Sequence, residues 1–446
     1  MKKLLKFALM AVCAFGMTAC SDDDAGNKRF TVSVSTGEGG QIKIEGTSAV
    51  SQNSIASATI NTGEDVVLVI TPDEGYELKT LYVDGADVLA DVDEDGNYTI
   101  SAISKNMSVS ATFDEKSKPI VNGIGVYVLS QGNYYSGLNG DLTYYNPATS
   151  DYTNGLFEAV NERAFGGTAN DAAIYGSKLY IANTDENVLE VANAQTAKSI
   201  KQISLSGARR IVADGGYIYV TSFYGNNVTK IDTTTLEIVG TAETGTYPEA
   251  MAIQNGKLYV ANSGYGSGNT VTKIDLANFT VDATLDVPVN PVEIFSVHGQ
   301  LYLGCSGEYN DDYTYKVNPA IYALATDGTA TKLVEATISA AGKDNIYFID
   351  NNYYKTEVTY GRISATDQKV ENLVFDKPVV YPCAIAANPQ NGDIYITGYA
   401  EIDYGGGYYG ADYNSNGTCY RFSADGMKLD QFPVGISAGK IVFITK

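Results

Sequence analysis

Along most of this chain apolar and polar residues alternate with period two, and the alternation itself repeats. Its clearest unit is residues 249–287, EAMAIQNGKLYVANSGYGSGNTVTKIDLANFTVDATLDV. An apolar run at 250–253 meets a tight turn at Asn255-Gly256, followed by an alternating segment at 258–261, a Gly/Asn/Tyr-rich loop, and alternating segments at 271–276 and 281–287. Alternation bounded by Asn-Gly and Gly-rich punctuation is what half-buried antiparallel strands require. The unit predicts four strands.

An aliphatic residue followed by Tyr marks the second strand of each unit. It recurs as Val126-Tyr127, Leu179-Tyr180, Ile218-Tyr219, Leu258-Tyr259, Leu301-Tyr302, Ile346-Tyr347 and Ile394-Tyr395, with Tyr-to-Tyr spacings of 53, 39, 40, 43, 45 and 48 residues. Such spacings bracket a four-stranded propeller blade and exceed most helical repeats. The final segment, 434–444 (VGISAGKIVFI), reads like the entrance to a blade (compare 289–297, VNPVEIFSV), yet no second strand follows it, whereas residues 123–130 begin directly at a second strand. The C-terminal segment is therefore expected to supply the innermost strand of the first blade and leave no open sheet edge.

The units LYVANSGYGSGNTVTKIDLANFTVDATLDV and IYVTSFYGNNVTKIDTTTLEIVGTAETGTYPEAMAI resemble YVTN-type seven-bladed β-propeller repeats, over residues 120–446. That resemblance implies a fold and leaves function open, since propellers host many activities. The expected class is all-β: a seven-bladed β-propeller preceded by a small β stalk domain.

The N-terminal 20 residues, MKKLLKFALMAVCAFGMTAC, combine Lys2, Lys3 and Lys6 with a short apolar stretch and a small-residue site ending in Cys. The apolar stretch is too short for a permanent span, so residues 1–19 read as a cleaved signal. The site resembles a bacterial lipobox with Met17 in place of the usual Leu, which implies lipidation of Cys20. Ser21-Asp22-Asp23-Asp24 then resembles the surface-export signal of Bacteroidota lipoproteins, within a linker at 20–29. Together these imply an outer-membrane, cell-surface protein held by lipid. Loss of the signal leaves 27 basic against 52 acidic residues, a balance that repels nucleic acid and anionic membranes.

Residues 30–113 alternate as a separate β domain, with turns at Gly39-Gly40, Asp84-Gly85 and Asp95-Gly96. The order TPDEGYELKTLYVDG…NYTISAISKNMSVSATF resembles bacterial surface repeats related to internalin B-repeats, modules that act as stalks. A charged linker, 114–119 (DEKSKP), separates it from the ring. Within it Asp91, Asp93, Asp95 and Gly96 match the start of a calcium loop, but Ala102 stands where a bidentate Glu is needed, so the expectation is an acidic turn.

In a propeller the loops between second and third strands share one face with the inter-blade connections. Here those loops gather Tyr134, Tyr135, Phe223, Tyr224, Tyr265, Tyr309, Tyr313, Tyr353, Tyr354, Tyr404, Tyr408, Tyr409 and Tyr413 among Gly, Asn, Asp and Ser; the connections add Arg163, Phe165, Asn170, Arg209, Arg210, Tyr247 and Tyr381. Tyr supplies a rigid apolar face with a polar tip and Gly and Asn supply adaptable contacts, the composition of a binding surface. For some of these residues the alternative is packing between blades, as expected for Tyr180, Tyr219, Tyr259 and Tyr302.

Catalytic chemistry has little support. The single His, His298, falls in a turn on the opposite face, so a triad not built on it and a His-rich metal site are both excluded. Cys305, Cys383 and Cys419 lie in or beside strands, an odd and sparse set that reads as buried thiols. Loop carboxylates Asp185, Glu186, Glu308, Asp311, Asp312, Glu401, Asp403 and Asp412 offer a calcium-dependent lactonase or glycosidase site, but their spacing reads as an exposed rim. No enzyme and no cofactor is expected. In layout the chain is similar to the surface propeller lipoproteins of gut Bacteroidota that capture cobalamin, which implies a small-molecule (corrinoid) ligand on the tyrosine face and a TonB-dependent outer-membrane transporter as partner. The alternatives are a protein-binding or adhesion propeller and a metal-dependent propeller hydrolase or lactonase.

Overall fold

The computed structural model describes residues 28–73, 76–93, 95–115, 125–352 and 357–444. The chain divides into two compact units, Met1–Lys118 and Pro119–Lys446. Cys20 and the signal lie outside the described residues, as do Tyr353 and Tyr354.

The first unit packs two sheets face to face. One orders Ile55–Asn61, Arg29–Thr36, Met107–Glu115, Tyr76–Val83 and Ala86–Asp87; the other orders Val50–Gln52, Gly40–Ile44, Val66–Pro72 and Asn97–Ile100. Alternate residues of these strands turn inward, so Val32, Val34, Ile42, Ile44, Leu68, Leu81 and Val109 form one core. The Asp84-Gly85 turn has positive φ at both residues (48° and 82°), the backbone a two-residue hairpin demands. Asp93 folds its carboxylate back onto the amides of Asp95 (3.0 Å) and Asn97 (2.7 Å), an acidic turn closed on itself.

The second unit is a seven-bladed propeller. Each blade is a four-stranded antiparallel sheet, and the innermost strands run in order Ala438–Ile444, Ala169–Tyr175, Ala208–Asp214, Pro248–Gln254, Pro291–Val297, Ile338–Ala341 and Pro382–Ala387, for blades 1 to 7. Neighbouring inner strands pack against one another right round the axis, including that of blade 7 against that of blade 1. The C-terminal strand pairs antiparallel with Gly125–Ser130, Val126 opposite Phe443 and Val128 opposite Ile441, so the two ends of the ring share one sheet. Thr397 of blade 7 donates to the Ala438 carbonyl at 2.6 Å and fastens the join.

The repeating Tyr explains why blades stack. Tyr127, Tyr180, Tyr219, Tyr259, Tyr302, Tyr347 and Tyr395 are all buried, each ring filling the gap to a neighbouring blade. Removing a side chain of this size from water contributes about 2 kcal/mol. Two of the hydroxyls reach the next blade: Tyr127 donates to the Ala194 carbonyl at 3.0 Å and Tyr302 to that of Ala365 at 3.5 Å.

Blade 1 departs from the repeat. Its outermost strand is only Asp151–Thr153, and a six-residue helix, Leu156–Asn161, follows and packs Phe157 on Phe165, ring centroids 3.8 Å apart. This insertion accounts for the longest of the six spacings. Cys305, Cys383 and Cys419 are free thiols; Cys305 and Cys419 are buried, and burial pushes the Cys305 thiol up to about 12. His298 sits at φ 50° in the turn between first and second strands of blade 5, its Nε2 2.8 Å from Asp344 Oδ1.

Candidate ligand face and axial channel

Loops and connections converge on one end of the ring. Tyr135, Tyr313, Tyr265, Tyr408, Tyr404, Tyr134, Tyr224, Tyr413, Tyr309 and Tyr409 are all more than half exposed, and Tyr247 just over a third. Two of the loops are built as hairpins: Glu308–Tyr309 pairs with Tyr315–Val317 in blade 5, and Ala400–Asp403 with Tyr409–Asp412 in blade 7. At the first, Tyr309 and Tyr315 stack at 4.5 Å and share a hydroxyl hydrogen bond of 2.8 Å. The second turns through Gly405, Gly406 and Gly407, all at positive φ, a backbone that side chains would oppose.

One aromatic group joins blades 3 and 4. Phe223 lies beneath Tyr247 (4.9 Å) and Tyr265 (6.3 Å), and Tyr247 meets Tyr265 at 5.4 Å. Tyr247 and Tyr265 both occupy the left-handed region, at φ 50° and 55°. Such backbone costs on the order of 1 kcal/mol and persists where its surroundings over-determine it. Here they do: the Tyr247 amide donates to Asn226 (3.0 Å), its carbonyl accepts from Ser263 Oγ (3.0 Å), and the Tyr265 amide donates to that same Oγ (3.3 Å). Nearby, Tyr224 donates to Asp185 at 3.2 Å, linking blade 3 to blade 2.

Several residues expected on this face are differently employed. Phe223 is buried and forms the floor of the group rather than its surface. Arg209 is locked: Nε and Nη2 donate to the two oxygens of Glu249 at 2.9 Å each, Nη1 donates to Asn170 at 2.8 Å, and the guanidinium lies 4.8 Å over the Phe223 ring. Arg163 donates to buried Glu190 at 2.7 Å and covers Phe157. Tyr381 is half-buried.

Below the aromatic group runs an axial cavity of about 810 Å³, lined by Arg209, Arg210, Glu249, Glu293, Lys343, Lys440 and the inner strands of blades 5, 6 and 7. A recurring device aims these side chains. In six of the seven blades, among the described residues, the inner strand carries one extra residue near its start: Gly439, Asn170, one of Arg209 and Arg210, one of Glu249 and Ala250, Val292 and Cys383. A bulge of this kind bends the strand and re-aims its side chains. Lys440 pairs with Asp171 (2.6 Å), whose other oxygen accepts from the Ile211 amide (2.8 Å); Arg210 pairs with Glu293 (3.0 Å) and stands 3.6 Å from Glu249. Burial pushes the Glu293 carboxyl up against the opposing pull of Arg210. Sequence reading flagged Arg209 and Arg210 but missed Asp171, Glu249, Glu293 and Lys440. The available signal was a charge at the second or third position of an otherwise apolar inner strand, recurring in five units.

Among the described residues no group of three His, Cys, Asp or Glu side chains converges to hold a metal ion. No helix among them is long and apolar enough to cross a membrane.

The architecture defines a β-propeller protein with an appended N-terminal β module. The chain belongs to the family described as Domain of unknown function (DUF5074), which matches residues 124–435, and residues 30–117 match the Divergent InlB B-repeat domain. No curated protein matches the chain. Among solved structures it is similar to a putative 6-phosphogluconolactonase from Bacteroides fragilis (10% identity, TM-score 0.50, covering 74% of this chain and 99% of that one). A second, from Bacteroides uniformis, matches at 8% identity and TM-score 0.51, covering 73% and 100%. Kuenenia stuttgartiensis hydrazine synthase matches at 14% identity and TM-score 0.43, covering 61% and 93%. At these identities the likeness is one of fold.

Proposed function

We propose that this chain is a cell-surface lipoprotein, anchored through Cys20, whose propeller captures a small nutrient ligand on its tyrosine-rich face and passes it to a TonB-dependent outer-membrane transporter. The observation that carries this reading is the concentration of exposed tyrosines on one end of the ring, with the pair Tyr247 and Tyr265 held in strained backbone over Phe223. A soluble monomer gains nothing from exposing so many large aromatics unless they bind something. The proposed ligand is a corrinoid: a broad ring with apolar edges and peripheral amides suits tyrosine faces, tyrosine hydroxyls and Asn side chains.

The test is calorimetric titration of residues 21–446 with cyanocobalamin, with host and dietary oligosaccharides run alongside. Saturable one-to-one binding of the corrinoid supports the reading, and co-purification of a transporter then follows. A flat corrinoid titration sinks it. Because two structural neighbours are titled putative 6-phosphogluconolactonases, lactone hydrolysis is assayed on the same preparation; turnover would move the protein into the enzyme class.

A further inference from the structure

The axial channel is two-sided. Blades 1 to 5 bring Lys440, Asp171, Arg209, Arg210, Glu249 and Glu293 to its wall or directly behind it. The inner strands of blades 6 and 7, Ile338–Ala341 and Pro382–Ala387, bring no charge at all, only small and apolar side chains such as Ile338, Ala340, Ala384 and Ile385. In a chain of formal charge −22, three cations near the starts of the inner strands, Arg209, Arg210 and Lys440, balance three carboxylates, Asp171, Glu249 and Glu293. A charge-balanced wall in so acidic a protein repels an anion less than the rest of its surface does.

Arg210 is the group with spare capacity. Its Nη2 donates to Glu293, its Nε stands too far from Glu249 for a hydrogen bond and has no other partner, and its Nη1 has no hydrogen-bond partner among the described residues. Arg209, by contrast, is saturated on three of its donors by Glu249 and Asn170. An arginine left with open donors inside a ring that satisfies its neighbour is poised for an oxyanion.

We infer that the axial channel is a second ligand site, distinct from the tyrosine face, that takes a small amphipathic carboxylate: its carboxylate on Arg210, its apolar body along the uncharged inner strands of blades 6 and 7. A monoanion fits better than phosphate, because Glu249 and Glu293 flank the arginine and would repel a dianion. The volume of about 810 Å³ lies within the range of small-molecule pockets.

The test titrates residues 21–446 with octanoate and trans-cinnamate, each against its primary amide, with inorganic phosphate as an anion lacking an apolar body. Saturable binding of the acids, at least about tenfold tighter than the amides, with phosphate unable to displace them, is the expected result. Arg210→Gln should erase the preference of acid over amide, while Cys383→Leu, on the uncharged wall, should weaken acid and amide together. Should Arg210→Gln fail to show a folded melting transition, the acid–amide comparison on the unaltered chain and the Cys383→Leu titration decide. The inference is overturned if neither acid binds, if acids and amides bind alike, if phosphate displaces the acids, or if folded Arg210→Gln keeps the acid preference.

Discussion

Arg209 of blade 3 and Glu249 of blade 4 face each other across the top of the channel in a two-pronged ion pair, with both N–O distances 2.9 Å. The Glu249 side chain is 6% exposed, so its charge has almost no water to fall back on. The pair couples two blades at the point where the aromatic group of the ligand face rests on the ring, since Phe223 lies under the same guanidinium.

Removing Arg209 takes both short hydrogen bonds from Glu249 and leaves it only the looser approach of Arg210, at 3.6 Å. Arg209→Met is expected to destabilise the ring by about 3 kcal/mol, and the double change Arg209→Met with Glu249→Leu to recover most of that loss, because a buried pair is far costlier to break than to replace. Urea unfolding of both variants is the check. Equal losses in the single and double variants would show that packing, not charge, is what Arg209 provides.

Buried tyrosine hydroxyls divide into two kinds. Tyr127 donates across the blade boundary, whereas the hydroxyls of Tyr180 and Tyr395 are buried without a partner. Tyr127→Phe should therefore cost about 1 kcal/mol, and Tyr180→Phe and Tyr395→Phe should be neutral or stabilising. Thermal melts of the three variants distinguish these outcomes.

Ring closure depends on the last strand. Deleting residues 438–446 takes the inner strand from blade 1, leaves the inner edge of Gly125–Ser130 unpaired and removes the Thr397 anchor. Exposed strand edges associate. The truncated chain should aggregate on purification, and a monodisperse monomer by light scattering would count against closure as a source of solubility.

Strain and binding should trade against each other at Tyr265. The side chain is 76% exposed and its φ is 55°, so Tyr265→Gly relieves backbone strain while sacrificing little packing. The expected result is an unchanged or raised melting temperature together with weaker binding of the face ligand. Tyr408→Ala with Tyr409→Ala should weaken that ligand in the same way and leave the melt alone.

In the N-terminal domain, Asp84 accepts from the Ser108 amide at 2.8 Å and pairs with Lys105 at 2.7 Å; the Lys105 hydrogen bond, followed by that amide, holds its carboxyl below the ordinary 3.8. A depressed carboxylate contributes stability that is fully present above its unfolded value and is lost as pH falls through the lower folded value. Protection of the Ser108 amide from hydrogen exchange should accordingly drop as pH falls below about 3.8, and Asp84→Asn should remove that pH dependence.

The hydrophobic alternation and the recurring aliphatic-Tyr pair determined the class of fold, the number of blades and the closing role of the C-terminal strand, since period-two burial and Gly-containing turns are local properties that the repeats write out one by one. Blade 4 shows how closely: the strands expected at 250–253, 258–261, 271–276 and 281–287 are Pro248–Gln254, Lys257–Asn262, Thr270–Asp275 and Thr280–Asp286. Composition likewise marked the tyrosine-rich loops, because exposed aromatics among Gly and Asn are unusual wherever the chain places them.

What the tertiary structure decided is who meets whom. Arg209 read as a ligand contact until the ring brought Glu249, 40 residues away, against it; Lys440 and Asp171 lie near opposite ends of the propeller sequence and touch because the circle closes. Each channel charge is a single polar residue in a different repeat, and alone it looks like noise in an apolar strand. Only closure places those positions around one axis, and only the recurring bulge turns them inward, so the charged half and the uncharged half of the channel come into being with the ring.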